Sequence, residues 1–325
     1  MPTVPLPAVL ESVVAAGSAG LPLPSVPALV EDLDRLRDLG FPLTADGIAT
    51  RLLDDGDVLV PSLLLREVRT PRLPLQVHAF LEVGSTNDHA AGLARAGAPE
   101  GTLVTAEAQS AGRGRRGRAW VTTPASSLSF SLVVRPARPA EEWPLLGLVA
   151  SVSLVRALRR THREITATEG ALPELKWPND VLVRGRKVAG ILAESLRDDR
   201  GGSAAVIGVG VNVGPTSVPP GLDETAAALD SEWNCRVLRR QLLARFLEEI
   251  AADYAAFQEG RHLKVLESWK AYSSMWSGTR VWVTEEGGRW AAVTRGLDES
   301  GGLRLQTPDG LERVVLAGDV SIRPA

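Results

Sequence analysis

Residues 204–213 read AAVIGVGVNV, ten positions in which Asn212 is the one polar side chain. As a strand this run is too apolar to face water on either side, so the chain must build a covered sheet around it. Its neighbours fit that demand. TLVTAEAQ (102–109) and SLSFSLVV (127–134) read as further strands, and DVLVRGRKVAGILAES (180–195) reads as a hairpin turning at Arg184 to Lys187. LLGLVASVSLVRALRR (145–160) has the pattern of a mostly buried helix, and helical periodicity returns from residue 236 to 258 and again from 264 to 272.

The flanks have a different grain. Near the start, LPAVLESVVAAG (6–17) reads as a short helix ended by Gly17. SVPALVEDLDRLRDLG (25–40) reads as a second: Ser25 can cap it, Pro27 lies in its first turn, and Val26, Leu29, Val30, Leu33 and Leu36 form an apolar stripe before Gly40. FPLTADGIATRLL (41–53) then reads as a hairpin with a turn at Asp46–Gly47, which gives a small winged-helix-like order. From about Thr279, short strands alternate with turns at Gly287–Gly288, Gly301–Gly302 and Asp309–Gly310, the pattern of a small all-β barrel. Pro71 and Pro74 and the change of composition at Ser277–Thr279 divide the chain into 1–70, 71–277 and 278–325.

Charge separates these segments too. Residues 1–70 hold five arginines, no lysine and ten acidic residues, a net of −5, whereas the other 31 basic and 29 acidic residues leave +2. One cysteine, Cys235, excludes an internal disulfide and any Cys-based zinc site, and points to a reducing compartment. The four histidines lack ligand spacing, so no resident metal is expected. The N-terminus has no Lys or Arg ahead of an apolar run, and Ser151, Ser153 and Arg156 interrupt the most apolar helix, so neither a secretory signal nor a membrane span is expected.

QSAGRGRRGRAW (109–120) sets four arginines among three glycines and contains G-x-G-x-x-G at Gly112, Gly114 and Gly117. A dinucleotide fold needs a helix to start at those glycines; here Pro124 and a strand come next, so that reading fails. Four charges alternating with glycines over seven residues suit a loop that folds over something small better than a surface that tracks a duplex. KWPND (176–180) adds a cation, an aromatic ring, an amide and a carboxylate, and Lys187 comes soon after. Gly208 and Gly210 would let a ligand lie against the backbone beside Asn212. These residues suit the joining of two anions: cations bring a carboxylate to the α-phosphate of ATP while Asn and Asp help hold Mg²⁺.

With STN (85–87), KVAGILAE (187–194) and GVGVNV (208–213) in the same order, residues 75–325 closely resemble the biotin–protein ligase family. That resemblance implies an α+β fold: a class II synthetase-like central mixed sheet with helices, a C-terminal SH3-like β-barrel and an N-terminal winged-helix-like module. It implies ATP- and Mg²⁺-dependent formation of biotinyl-5′-AMP, then transfer of biotin to a lysine of a biotin carboxyl carrier protein in the cytoplasm. By resemblance, Ser85, Thr86, Asn87, Gln109 and Arg113 surround the biotin head group, with Gly190, Gly208 and Gly210 at the substrate. Gly114 and Arg115 follow the tail and Lys187 meets the carboxylate. Arg118, Trp120, Lys176, Asn179, Asn212 and Arg323 serve the nucleotide. Arg115, Lys176, Asp180 and Lys187 are the catalytic candidates, Asp180 either orienting a lysine amine or helping with metal.

Rival readings are a lipoate or octanoate ligase, whose expected RR/GGG motif or catalytic cysteine is missing, and a biotin-responsive DNA-binding repressor. Against DNA, SAGLPLP (18–24) is too short for a middle helix, and the second helix presents Glu31, Asp32, Asp34 and Asp38 against Arg35 and Arg37. Family members dimerise, but nothing in this sequence fixes the oligomeric state.

Overall fold

A computed structural model describes residues 3–22, 27–45, 49–52, 56–69, 73–166, 171–285, 288–317 and 321–324. The expected cap Ser25, the Asp46–Gly47 turn, Pro71 and Gly287 lie outside the described residues, as do the side chains of 27–29 and 321–324.

In chain order the first elements are β1 (Val4–Pro5), α1 (Ala8–Ala16), β2 (Leu21–Pro22), α2 (Pro27–Asp38), β3 (Leu43–Ala45), β4 (Ala49–Leu52) and α3 (Pro61–Glu67). Then come β5 (Gln76–Val83), α4 (Thr86–Arg95), β6 (Thr102–Gln109), β7 (Ser127–Val134), α5 (Leu146–Ile165), β8 (Glu174–Lys176), β9 (Asp180–Val183), β10 (Arg186–Arg197) and β11 (Ser203–Asn212). The chain closes with α6 (Leu229–Trp233), α7 (Arg239–Gln258), α8 (Leu263–Tyr272), β12 (Ser277–Glu285), β13 (Gly288–Leu297), β14 (Leu303–Gln306), β15 (Glu312–Val315) and β16 (Ser321–Pro324).

Eight strands form a mixed sheet in the order β1-β5-β6-β7-β11-β10-β9-β8, with β5 and β6 parallel across α4. The apolar run 204–213 sits near its middle as β11, paired to β7 and β10. Strand periodicity sends alternate residues to opposite faces. On one face Phe130, Leu132, Ile191, Ile207 and Val209 join a core with α5, α7 and α8; on the other, Val104, Val133, Ala204 and Val206 pack under α4. The hairpin β9–β10 turns on Arg184 and Gly185, both at positive φ, so Arg186 and Lys187 already belong to the returning strand.

The C-terminal strands form an antiparallel sheet, β15-β14-β13-β12-β16, whose Val281, Leu303 and Leu305 continue the main core. Trp177 ties the two together: it is buried, and its Nε1 donates to Gly301 O at 3.1 Å. The N-terminal helices and the sheet β2-β4-β3 surround a smaller core in which Leu33 and Leu36 are buried as expected, whereas Val30 is exposed. That core includes Leu81 of β5, and β1 is the edge strand of the large sheet, so the first seventy residues share both a sheet and a core with the central part of the chain. A buried ionic cluster fixes the junction. Arg239 on α7 uses every guanidinium N–H, donating to Glu107 (2.6 and 3.3 Å), Asp57 Oδ2 (2.9 Å), Asp57 O (2.7 Å) and Ser127 O (3.0 Å). Among the described residues no helix is long and apolar enough to cross a membrane.

Candidate functional site

The site grows from the alternation in β7 and β11. Their register pairs Ser131 with Gly208, Ser129 with Gly210 and Ser127 with Asn212, while the intervening Leu128, Phe130, Val209 and Val211 enter the core. Across β10, Gly190 pairs with Gly210 and Leu192 with Gly208. The result is a floor of glycines and hydroxyls beneath a cleft of about 610 Å³. Ser85, Thr86, Asn87, Gln109, Arg113, Gly114, Arg115, Arg118, Trp120, Lys176, Asn179, Asp180, Lys187, Gly190, Gly208, Gly210 and Asn212 all line it. Arg323 stands opposite Trp282 in the C-terminal sheet, and its side chain lies outside the described residues.

One end of the cleft is a closed hydrogen-bond network. Ser85 caps α4, its Oγ accepting from Asp88 N, which delivers Thr86 and Asn87 buried onto the floor. Gln109 Oε1 accepts from Thr86 N (2.8 Å) and Thr86 Oγ1 (3.2 Å), while its Nε2 donates to Thr122 Oγ1 (3.0 Å). Ser131 Oγ lies 2.9 Å from Thr86 Oγ1 and 2.6 Å from Asn87 Oδ1. Asn87 rests directly on Gly208: a Cβ there would lie 2.7 Å from Asn87 Cγ and closer still to Oδ1. A Cβ at Gly210 would similarly lie 2.6 Å from Trp120 Cζ2. Gly208 and Gly210 thus line the cleft and also let Asn87 and Trp120 come close against the strand.

The arginine–glycine segment is a small hairpin. Arg113 bridges Ala119, Gly114 N donates to Arg118 O and Trp120 N to Gly112 O, with a 3₁₀ turn at Arg115–Gly117 and a strand, not a helix, beyond. Arg115 bends inward. Its Nη1 donates to Asn179 Oδ1 at 3.1 Å, and its buried Nη2 has no partner. Burial lowers its pKa against the pull of Asp180, with Arg116 and Arg118 adding repulsion. An anion would satisfy both the free N–H and the crowded charge. Lys187 also faces Asp180, its Nζ 2.6 Å from Oδ1, and lies 5.4 Å from the Trp120 ring centroid. Its backbone is clamped to a cleft-lining loop, N to Thr225 O and O from Ala227 N. Asn179 Nδ2 donates to Ile191 O at 2.6 Å, which fixes the amide oxygen toward Arg115.

Sequence reasoning missed several residues. Ser131, Thr122 and Ser129 brace the lining residues Thr86, Asn87 and Gln109 from beneath, and the Leu/Ser alternation of SLSFS was the signal for the two serines. Glu194, which binds Arg113, closes the motif KVAGILAE but was given no role there, and Asp88, the other partner of Arg113, had no signal because an acidic residue in the first turn of a helix is common.

The chain matches the model of the biotin/lipoate A/B protein ligase family over residues 82–212 and that of the biotin protein ligase C-terminal domain over 277–323. It is 34% identical over 288 residues to a biotin–[acetyl-CoA-carboxylase] ligase of Mycobacterium tuberculosis, covering 82% of this chain and 98% of that protein. It is 31% identical over 237 residues to the bifunctional ligase/repressor BirA of Bacillus spizizenii, covering 72% and 70%. Among solved structures, the biotin protein ligase of Aquifex aeolicus in complex with biotin and ATP superposes with a TM-score of 0.66 at 27% identity, covering 77% of this chain and 99% of that one.

Proposed function

This chain belongs to the biotin/lipoate A/B protein ligase family, and from that premise we propose how its cleft works. The protein is a biotin–protein ligase: it activates biotin with ATP as biotinyl-5′-AMP and passes the biotin to a lysine on the carrier protein of a biotin-dependent carboxylase. The observation that carries the assignment of the cleft is the convergence of five sequence motifs, far apart in the chain, on one cavity wall.

In this reading the floor network of Ser85, Thr86, Asn87 and Gln109 holds the biotin ureido ring, with Arg113 beside it and Gly208, Gly210 and Gly190 beneath. Gly114 and Arg115 follow the valeryl tail. Lys187 leaves Asp180 for the biotin carboxylate and then the adenylate phosphate, and the unpartnered N–H of Arg115 takes an anionic oxygen. Arg118, Trp120, Lys176, Asn179, Asn212 and Arg323 serve the nucleotide. Mg²⁺ arrives on the ATP phosphates: among the described residues no group of three or more His, Cys, Asp or Glu could hold an ion by itself. We assign the enzyme to the cytoplasm, where ATP and a free Cys235 thiol are both sustained.

We also read the C-terminal sheet as SH3-like and the N-terminal segment as a winged helix that no longer grips an operator. Glu31, Asp34 and Asp38 are exposed on α2 against Arg35, so the helix that would enter a groove repels phosphate. Two measurements test these assignments. Carrier domains incubated with ATP, Mg²⁺ and either biotin or lipoate are weighed intact; modification by lipoate alone refutes the substrate. A sequence-specific, biotin-dependent shift of a DNA fragment refutes the degenerate winged helix.

A further inference from the structure

Glu194 on β10 belongs to none of the roles above, yet it joins two parts of the cleft. Its Oε2 accepts from Asn87 Nδ2 (2.9 Å) and Arg113 Nη2 (3.0 Å), and its Oε1 accepts from Arg113 Nη1 (3.2 Å). The second Nη2 hydrogen of Arg113 goes to Asp88 Oδ1 at 2.6 Å.

An ionised carboxylate only accepts hydrogen bonds, so the group of Asn87 that faces Glu194 must be the amide NH₂. Its other hydrogen reaches Leu192 O at 3.3 Å. Asn87 Oδ1 is thereby turned to Ser131 and the glycine floor, where it presents an acceptor. A flipped amide would set two oxygens of like charge against each other at hydrogen-bond distance. The polarity of the floor is therefore set from β10 and not by Asn87 itself. At the same time the carboxylate takes both terminal nitrogens of Arg113, whose backbone bridge to Ala119 closes the arginine hairpin. One side chain thus orients the floor and anchors the base of the hairpin above it.

We propose that Glu194 is a positioning residue for the biotin head group, acting through Asn87 and Arg113 without touching substrate. The proposal rests on the reading that this cleft takes biotin, and its test separates the two. Biotin-dependent pyrophosphate release is measured for the wild type, Glu194→Gln and Asp88→Asn, with thermal melting of each and limited trypsinolysis of the hairpin after Arg115 and Arg116. Glu194→Gln keeps the volume but loses the charge, and whichever way its amide turns it sets an NH₂ donor against Arg113 Nη1 or against the Asn87 amide and Arg113 Nη2. It is expected to raise KM for biotin about tenfold while KM for ATP stays within about twofold, since a charge-assisted contact and an amide orientation are lost at one end of the cleft only. Trypsin should cut its hairpin several-fold faster than that of the wild type. Asp88→Asn touches Arg113 but not Asn87, so it should also speed cleavage while raising KM for biotin by no more than about threefold.

Unchanged biotin KM in Glu194→Gln overturns the proposal. So does an equal rise in both KM values with a lower melting temperature, which marks a general structural role. If the wild type releases no pyrophosphate with biotin, the functional reading falls instead. Trypsinolysis then decides the hairpin anchor alone: faster cleavage of Glu194→Gln supports it, an unchanged rate overturns it.

Discussion

Replacing Gly208 by alanine adds one methyl group to the middle of β11, where strand geometry tolerates any residue, so its effect isolates the contact with Asn87. The new Cβ would lie 2.7 Å from Asn87 Cγ with Oδ1 nearer still, and the amide oxygen must retreat by roughly 1.5 Å to reach ordinary van der Waals contact. Asn87 is buried and held by Ser131 Oγ at 2.6 Å, Glu194 at 2.9 Å and Leu192 O at 3.3 Å. A shift of that size carries at least two of these beyond bonding distance. Neutral hydrogen bonds contribute about 1 kcal/mol and those to a charged group about 1.5–3 kcal/mol, so the floor loses about 2–3 kcal/mol. If biotin is held there, its affinity falls roughly 30- to 150-fold. The assay is titration calorimetry with biotin on the wild type, Gly208→Ala, Asn87→Ala and the double variant. Because the methyl group acts only by displacing Asn87, the double variant should bind no worse than Asn87→Ala alone, a non-additivity that a diffuse strand defect would not produce. Wild-type affinity in Gly208→Ala, or two losses that simply add, refutes the reasoning.

Other expectations come from the same geometry. Lys187→Ala should slow biotin-dependent pyrophosphate release about a hundredfold, since it removes the cation held in the cleft beside Asp180; near-normal turnover sinks its assignment to the reacting carboxylate. Arg115→Ala should let biotinyl-AMP escape and label bystander lysines, read by mass spectrometry of an added non-carrier protein; unchanged retention removes its role in holding an anionic oxygen. Arg239→Met leaves Glu107 and Asp57 buried without their cation and should cost about 3–5 kcal/mol in urea unfolding, most of it recovered by adding Glu107→Gln and Asp57→Asn. A loss below about 1 kcal/mol would mean the cluster is better hydrated than its burial indicates. Burial pushes the carboxyl of Asp230 from 3.8 up to about 6, with Asp57 adding repulsion. Its ionised form therefore opposes folding, fully so above about pH 6 and progressively less as the pH falls toward 4. Asp230→Asn, which can still accept from Val237 N, should stabilise the protein at pH 8 by up to about 1 kcal/mol after solvent screening and make no difference near pH 4. A benefit that grows on acidification would show the opposite sign of linkage and rule out a buried, repelled carboxylate.

What could be read from the sequence was what is local. Strand and helix periods gave the strands β6, β7, β10 and β11, and short motifs, each contiguous in the chain, named the residues of the cleft. The strand β1 escaped because two residues hold no period, and α3 because seven residues beside prolines resemble a linker. The contacts that fix the geometry escaped for another reason. Arg239 meets Asp57 and Glu107 across 182 and 132 residues of chain, and Glu194 meets Asn87 across 107. No spacing rule links such positions; only the folded chain does. Their energetic character is also different. The cleft cations Arg113, Arg115 and Lys187 keep part of their surface open, whereas Arg239 and Glu107 are sealed from solvent, so either one without the other is a buried charge. The N-terminal segment supplies Asp57 to that cluster and β1 to the sheet edge. It is bound into the ligase core, and removing it would expose Arg239 and Leu81 together, which is a structural role in its own right.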